Sequence, residues 1–155
     1  MFRILLVDDN PADAALLRVL FDTHHRSIQL DCVEDGSQAL DFLHQRGAFA
    51  NALRPSLVLM DLNMPRIGGL QVLATMKSDP EFRAIPVIML STFALPAEVR
   101  RMYQSYANCY VQKPDTLKRS VHLVRAIEAF WMDEAVFPPS DDSGTSGTVR
   151  PTFDF

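Results

Sequence analysis

The chain is poor in cysteine, in long apolar runs and in clustered basic charge, and each shortage removes a class of function. Only Cys32 and Cys109 occur in 155 residues, far apart. They make neither a metal-binding spacing nor a redox motif, and they read as buried structural thiols in a reducing cytoplasm. No run approaches the ~20 apolar residues that a membrane span needs. The opening "MFRILLVDD" carries one arginine and an apolar stretch too short for a signal-peptide core. The net charge is −4 and the isoelectric point is near 5.5. No basic cluster is longer than a pair such as Arg100-Arg101, which argues against a nucleic-acid binder held by phosphate contacts. His24, His25, His44 and His122 converge on no carboxylate or cysteine pattern and read as surface or packing residues. What is present is 48% hydrophobic residues and 22% charged ones, enough for one compact cytoplasmic domain with a single core.

Short apolar runs alternate with amphipathic segments. "FRILLV" (2–7) reads as a buried strand, with Asn10 as a helix N-cap and Pro11 at the first helical position. The helix that follows would bury Leu16, Leu17, Leu20 and Phe21. "SIQLDCV" (27–33) alternates as a second strand, and "DGSQALDFLHQRG" (35–47) is a turn and a helix stopped by Gly47. "LVLMD" (57–61) is the third strand. After the turn-rich "LNMPRIGG" comes a helix over about 69–77 that buries Leu70, Leu73 and Met76. "IPVIMLS" (85–91) is the fourth strand. Pro96 opens a helix whose Val99, Met102, Tyr103 and Tyr106 have the spacing of one buried face. "NCYVQK" (108–113) is the last strand, and a helix runs from about Thr116 to Asp133.

Five βα units with strands rich in Val, Ile and Leu predict an α/β fold, a parallel sheet covered by helices on both faces. Right-handed crossovers make it an open, doubly wound, flavodoxin-like (βα)5 sheet of order 2-1-3-4-5. Ligands in such sheets bind beyond the carboxyl ends of the strands. The domain is expected over residues 1–134. From Pro138 the composition turns to Pro, Ser, Gly, Asp and Thr, and residues 135–155 read as a flexible tail. Phe153 and Phe155 are more than a solvating tail needs, which leaves a docking peptide open.

The strand ends carry the chemistry. Strand one ends in Asp8-Asp9, strand three in Asp61, strand four in Ser91-Thr92 and strand five in Lys113. With strands one and three adjacent, Asp8, Asp9 and Asp61 crowd together. Three carboxylates so close need a cation to stay ionised. An all-oxygen set with few ligands suits Mg²⁺ better than a Ca²⁺ cage. A carboxylate beside Mg²⁺ can attack a phosphoryl group and become an acyl phosphate, with Lys113 and the Ser91 hydroxyl offsetting charge on the phosphoryl oxygens. Asp61 is the best candidate nucleophile, since it ends a central strand before a tight loop.

"LLVDDNPAD", "LVLMDLNMPRIGG", "PVIMLST" and "CYVQKP", in this order and spacing, resemble the response-regulator receiver domains of two-component signalling. The resemblance covers about residues 1–132. It implies that Asp61 accepts phosphate from a sensor histidine kinase, and that Asp9, Asp61 and the Asn63 backbone carbonyl ligate Mg²⁺, with Asp8 acting partly through water. It makes Ser91 the switch hydroxyl and Tyr110 the aromatic that rotates on activation. The Lys113–Pro114 bond resembles the family's frequent cis peptide, and Gly68 stands where many members have Asp. "FLHQRGAFANALRPSLVLMDLNMP" and "IEAFW" further resemble the stand-alone regulators paired with bacterial and cyanobacterial phytochromes, although some of those have Lys-Ser where this chain has Lys113-Pro114. That implies no output domain, and a homodimer around helix four, strand five and helix five.

In helix five, Leu123, Val124, Ala126, Ile127, Phe130 and Trp131 fill an arc of roughly 160°, wider than the ~100° of an ordinary core-facing stripe. Either a second copy covers the excess, or the tail folds back over it. The function expected is a phosphorylation-controlled switch that catalyses only its own phosphorylation and dephosphorylation. Asn63 and Phe93 are the positions expected to tune dephosphorylation, with bulky Phe93 hindering water. One alternative is a small phosphohydrolase with an aspartyl-phosphate intermediate. Such enzymes usually have Asp-x-Asp after strand one, and here that strand ends Asp-Asp-Asn. A flavodoxin-like nucleotide binder would need glycines or hydroxyls in the first loop, where two carboxylates would repel phosphate.

Overall fold

The structure is a computed structural model that describes residues 1–23 and 27–139. Five strands, β1 (Phe2–Val7), β2 (Ile28–Val33), β3 (Leu57–Asp61), β4 (Val87–Ser91) and β5 (Cys109–Gln112), form one parallel sheet of order 2-1-3-4-5. The helices between and after them are α1 (Pro11–Thr23), α2 (Gly36–Leu43), α3 (Gly69–Ser78), α4 (Pro96–Gln104) and α5 (Leu117–Ile127). A 3-10 turn, Gly47–Phe49, lies in the α2–β3 connection, and a π-helical turn, Glu128–Glu134, prolongs α5.

Successive strand residues point to opposite faces, so the apolar runs feed two cores. Leu5, Val7, Val58, Met60, Val87 and Met89 meet Phe42, Leu73, Met76 and Met102 from α2, α3 and α4. Ile4, Leu6, Leu57, Leu59, Ile88 and Leu90 meet Leu17, Phe21, Val124 and Ile127 from α1 and α5. Both faces being covered explains why β1, β3 and β4 read as unbroken apolar runs. Polar groups therefore collect where the strands run out, at the carboxyl rim.

Several local expectations are corrected. Helix α2 stops at Leu43, before Gly47. Gln45 takes the left-handed conformation (φ 54°), with Arg46 N–H donating to Asp41 O at 2.9 Å and Gln45 N–H to Phe42 O at 3.2 Å, the Schellman closure. Helix α4 closes in the same way through Tyr106 (φ 69°), with Ala107 N–H on Met102 O at 3.0 Å. Tyr106 is thus beyond the helix and 75% exposed, and Tyr103 is 49% exposed. The face they were expected to bury reduces to Met102 and half-buried Val99. Leu16, Leu20 and Leu70 are only half-buried, whereas Val72, not foreseen, is fully buried. Cys32 and Cys109 are free and half-buried. The Lys113–Pro114 peptide is trans, as are all others among the described residues.

The wide arc at the end of α5 is met partly from within the chain. The Phe137 ring lies edge-on to Phe2 at 5.4 Å and tilted against Trp131 at 6.1 Å. Phe130 stays 55% exposed. Phe153 and Phe155 lie outside the described residues, as do His24 and His25.

Candidate functional site

Asn10 builds the first corner of the rim. Its Oδ1 accepts from the N–H groups of Ala12 at 3.0 Å and Asp13 at 3.1 Å, capping α1, while its own N–H donates to Asp8 Oδ1 at 2.9 Å. Asp8 is thereby pinned at the end of β1, 3% exposed, with Oδ2 turned to the centre of the site. Asp61, 6% exposed, ends the neighbouring strand β3. The loop behind it is held close by Gly69, where a Cβ would come within 2.3 Å of the Asp61 carbonyl oxygen. Asn63 N–H reaches back toward Asp61 Oδ1 at 3.4 Å.

One ammonium joins these segments. Lys113 Nζ lies 3.0 Å from Asp8 Oδ2, 3.2 Å from Asp61 Oδ2 and 3.2 Å from Asp13 Oδ2. Lys113 N–H donates to Ser91 O at 2.7 Å, which fixes the start of its side chain against the end of β4. Ser91 is fully buried and its hydroxyl has no hydrogen-bond partner among the described residues. Carboxylate oxygens of Asp8, Asp9 and Asp61 lie within 4.8 Å of one another, with Asp9 on the exposed side. Three hard oxygen donors, two buried and one open to solvent, fit a divalent cation that retains water.

The electrostatics are those of an acidic cluster short of positive charge. Burial pushes the Asp61 carboxyl up to about 6 even though Lys113 pulls it down, and Asp8 adds to the rise. Burial alone would lower the Lys113 ammonium, but the hydrogen bond and charge of Asp8, with those of Asp61 and Asp13, hold it above the ordinary lysine range.

Asp8, Asp9, Asp61, Ser91 and Lys113 are thus brought to one rim, as the strand ends suggested. Tyr110 and Phe93 form a separate group to its side. The Tyr110 hydroxyl donates to Phe93 O at 2.8 Å, and its N–H donates to the Tyr103 hydroxyl at 3.2 Å. Phe93 itself is 64% exposed. Asp13 was missed. The available signal was its place three residues after the N-cap, where an acidic side chain in the first turn points back to the rim.

The response regulator receiver domain model matches residues 4–125. The chain belongs to that family, the signalling switches of two-component systems. Response regulator Rcp1 of Synechocystis sp. is 38% identical over 135 residues, 87% of this chain and 92% of Rcp1. The manganese-bound form of Rcp1 superposes with a TM-score of 0.83 at 37% identity, covering 90% of this chain and 100% of the other. The phosphorylated cyanobacterial phytochrome response regulator RcpA gives 0.84 at 38% identity, covering 89% and 99%. Response regulator RPA3017, of red light signalling in R. palustris, gives 0.83 at 33%, covering 90% and 100%. Among the described residues no helix is long and apolar enough to cross a membrane.

Proposed function

We propose that Asp61 is the phosphoacceptor of this switch and that its donor is a sensor histidine kinase of the phytochrome type. The observation that carries the reading is the meeting of Asp8, Asp9 and Asp61 within 4.8 Å, with the Lys113 ammonium 3.2 Å from Asp61. An Asp61 oxygen bonds to phosphorus as the bond from phosphorus to the histidine nitrogen breaks, and the electron pair returns to the ring. Lys113 takes up charge on the phosphoryl oxygens, and the buried Ser91 hydroxyl, without a partner among the described residues, is free to donate to one of them. Asp8, Asp9, Asp61 and the Asn63 carbonyl would hold Mg²⁺. When bound, that ion offsets the carboxylates and draws the phosphoryl group in. The manganese-bound form of Rcp1 supports a divalent ion here. RcpA and RPA3017, by their association with phytochrome and red light, support the choice of kinase.

Ser91 and Tyr110 are the proposed switch. The Tyr110 hydroxyl ties β5 to the β4–α4 loop through Phe93 O, so a pull on Ser91 at the end of β4 is felt by that bond. Phe93 and Leu95 before α4, Tyr103 on it, Tyr106 just past it and Leu117 at the start of α5 are all exposed, which supports a homodimer around α4. The cytoplasm is the proposed compartment. The central test is incubation with a small phosphodonor and Mg²⁺ followed by intact mass measurement. One phosphoryl adduct is expected on the wild type and none on Asp61→Asn; equal modification of both would overturn the assignment. The Phe93→Glu variant should lose its phosphoryl group faster than wild type, and equal lifetimes would reject Phe93 as a brake on hydrolysis.

A further inference from the structure

We propose that the Phe153-Asp154-Phe155 segment of this chain docks in the groove beside the open edge of β2. This is a second interaction surface and does not rest on the phosphoacceptor reading. The groove has a volume of about 390 Å³, with an apolar wall of Phe42, Phe49, Ala52 and Leu53 and a polar one of Arg18, Gln29, Asp31 and Asn51. It lies away from the carboxylate rim, and the α2–β3 connection with its 3-10 turn builds one side of it.

Four observations choose the occupant. Among the described residues β2 pairs only with β1. Phe2 N–H donates to Ser27 O and Asp8 N–H to Val33 O, so odd-numbered residues of β2 face β1, and the N–H groups of Leu30 and Cys32 lie on the open side. Apolar residues at 153 and 155 with an acid between them have the sequence period of a strand. The chain also approaches from the right place. Phe137 rests on Phe2, whose register partner is Ile28 at the start of β2. The thirteen residues 140–152 can span about 40 Å, against about 20 Å for the whole of β2. Finally, Arg18 holds Leu30 O at 3.2 Å through one guanidinium nitrogen and also contacts the Cys32 thiol, and a guanidinium with five N–H donors keeps others for the Asp154 carboxylate. Two aromatic anchors suit the Phe42, Phe49 and Leu53 wall, and one acid suits the Arg18 side of the groove, across from Asp31.

Cys32 in the groove reports occupancy, and Cys109, equally free and half-buried on the opposite edge strand, is the internal control. The full chain and its Phe153→Ala/Phe155→Ala variant are alkylated with iodoacetamide at several protein concentrations, and each cysteine peptide is followed by mass spectrometry. A segment docked in about four-fifths of molecules slows Cys32 about fivefold. The variant should lose that protection while Cys109 keeps its rate. Leu53→Glu, at a 44% exposed position, should lose it too. Equal Cys32 rates in wild type and variant overturn the proposal, as does an equal change at Cys109. Protection that grows with protein concentration would assign the groove to a second copy and overturn docking within one chain.

Discussion

Asp61 and Lys113 show opposite responses to the same burial. Lys113 has Asp8, Asp13 and Asp61 within 3.2 Å and keeps its charge, whereas the Asp61 carboxyl rises to about 6 from an ordinary 3.8. A carboxylate whose folded pKa is raised binds its proton more tightly folded than unfolded. Its contribution to stability is therefore full at low pH and is lost as pH climbs through about 4 to 6. In EDTA, Asp61→Asn should stabilise the protein at pH 7.5 by on the order of 2 kcal/mol and change little at pH 4. Urea denaturation at the two pH values checks this, and a variant no more stable than wild type at pH 7.5 would contradict it. Asp13 differs, because its carboxylate is 46% exposed. Asp13→Asn should shift stability by less than about 1 kcal/mol, as exposed ion pairs do; a larger loss would show that Asp13 is needed to keep Lys113 charged.

Among the elements, glycines placed against backbone carry a cost that no side-chain rearrangement relieves. A Cβ at Gly69 would lie 2.3 Å from Asp61 O, and one at Gly36 would lie 2.3 Å from Ile67 O. Gly69→Ala should push the start of α3 off β3 and cost about 2–4 kcal/mol, within the range of overpacked cores. Chemical denaturation tests this, and a loss below 1 kcal/mol would mean the loop yields easily. The strands and their order were legible in the sequence because both faces are buried and alternation gives way to continuous apolar runs. The acidic rim was legible because strand ends converge by topology alone. Tyr103 and Tyr106 were misjudged because periodicity assumes that a helix continues. The Schellman turn at Tyr106 is set by hydrogen bonds that a hydrophobic pattern does not record. Gln45 stopped α2 in the same way, with none of the glycine signal that Gly47 offered. Asp13 escaped notice because an acid in a first turn usually serves only the helix itself.

For the whole molecule, three carboxylates on one ammonium, with Asp9 beside them, make the metal-free protein an incompletely compensated one. A cation that binds only the folded chain stabilises it by mass action. Millimolar Mg²⁺ should raise the thermal midpoint of the wild type by several degrees, since each kcal/mol is worth about 2–8 °C at this size. The same addition should do little for Asp9→Asn. Calorimetry with and without Mg²⁺ decides it, and an equal rise in both proteins would remove Asp9 from the ligand set. The exposed apolar residues around α4 offer a second global readout. If they join two copies, Tyr106→Glu should shift a sizing-column profile toward monomer without changing the fold.

The Lys113 contacts also set a schedule. The lysine meets Asp61 across 52 residues of chain, and Asp13 and Asp8 across 100 and 105. Contacts of such separation form late, after the loops between them have closed. A chain emerging from the ribosome has Asp8, Asp9, Asp13 and Asp61 of the rim long before Lys113. Until residue 113 arrives and β5 docks on β4, the rim carries only mutual repulsion. Competence to receive a phosphoryl group is then acquired in the last step of folding, so a chain cut short before β5 would be inert instead of unregulated.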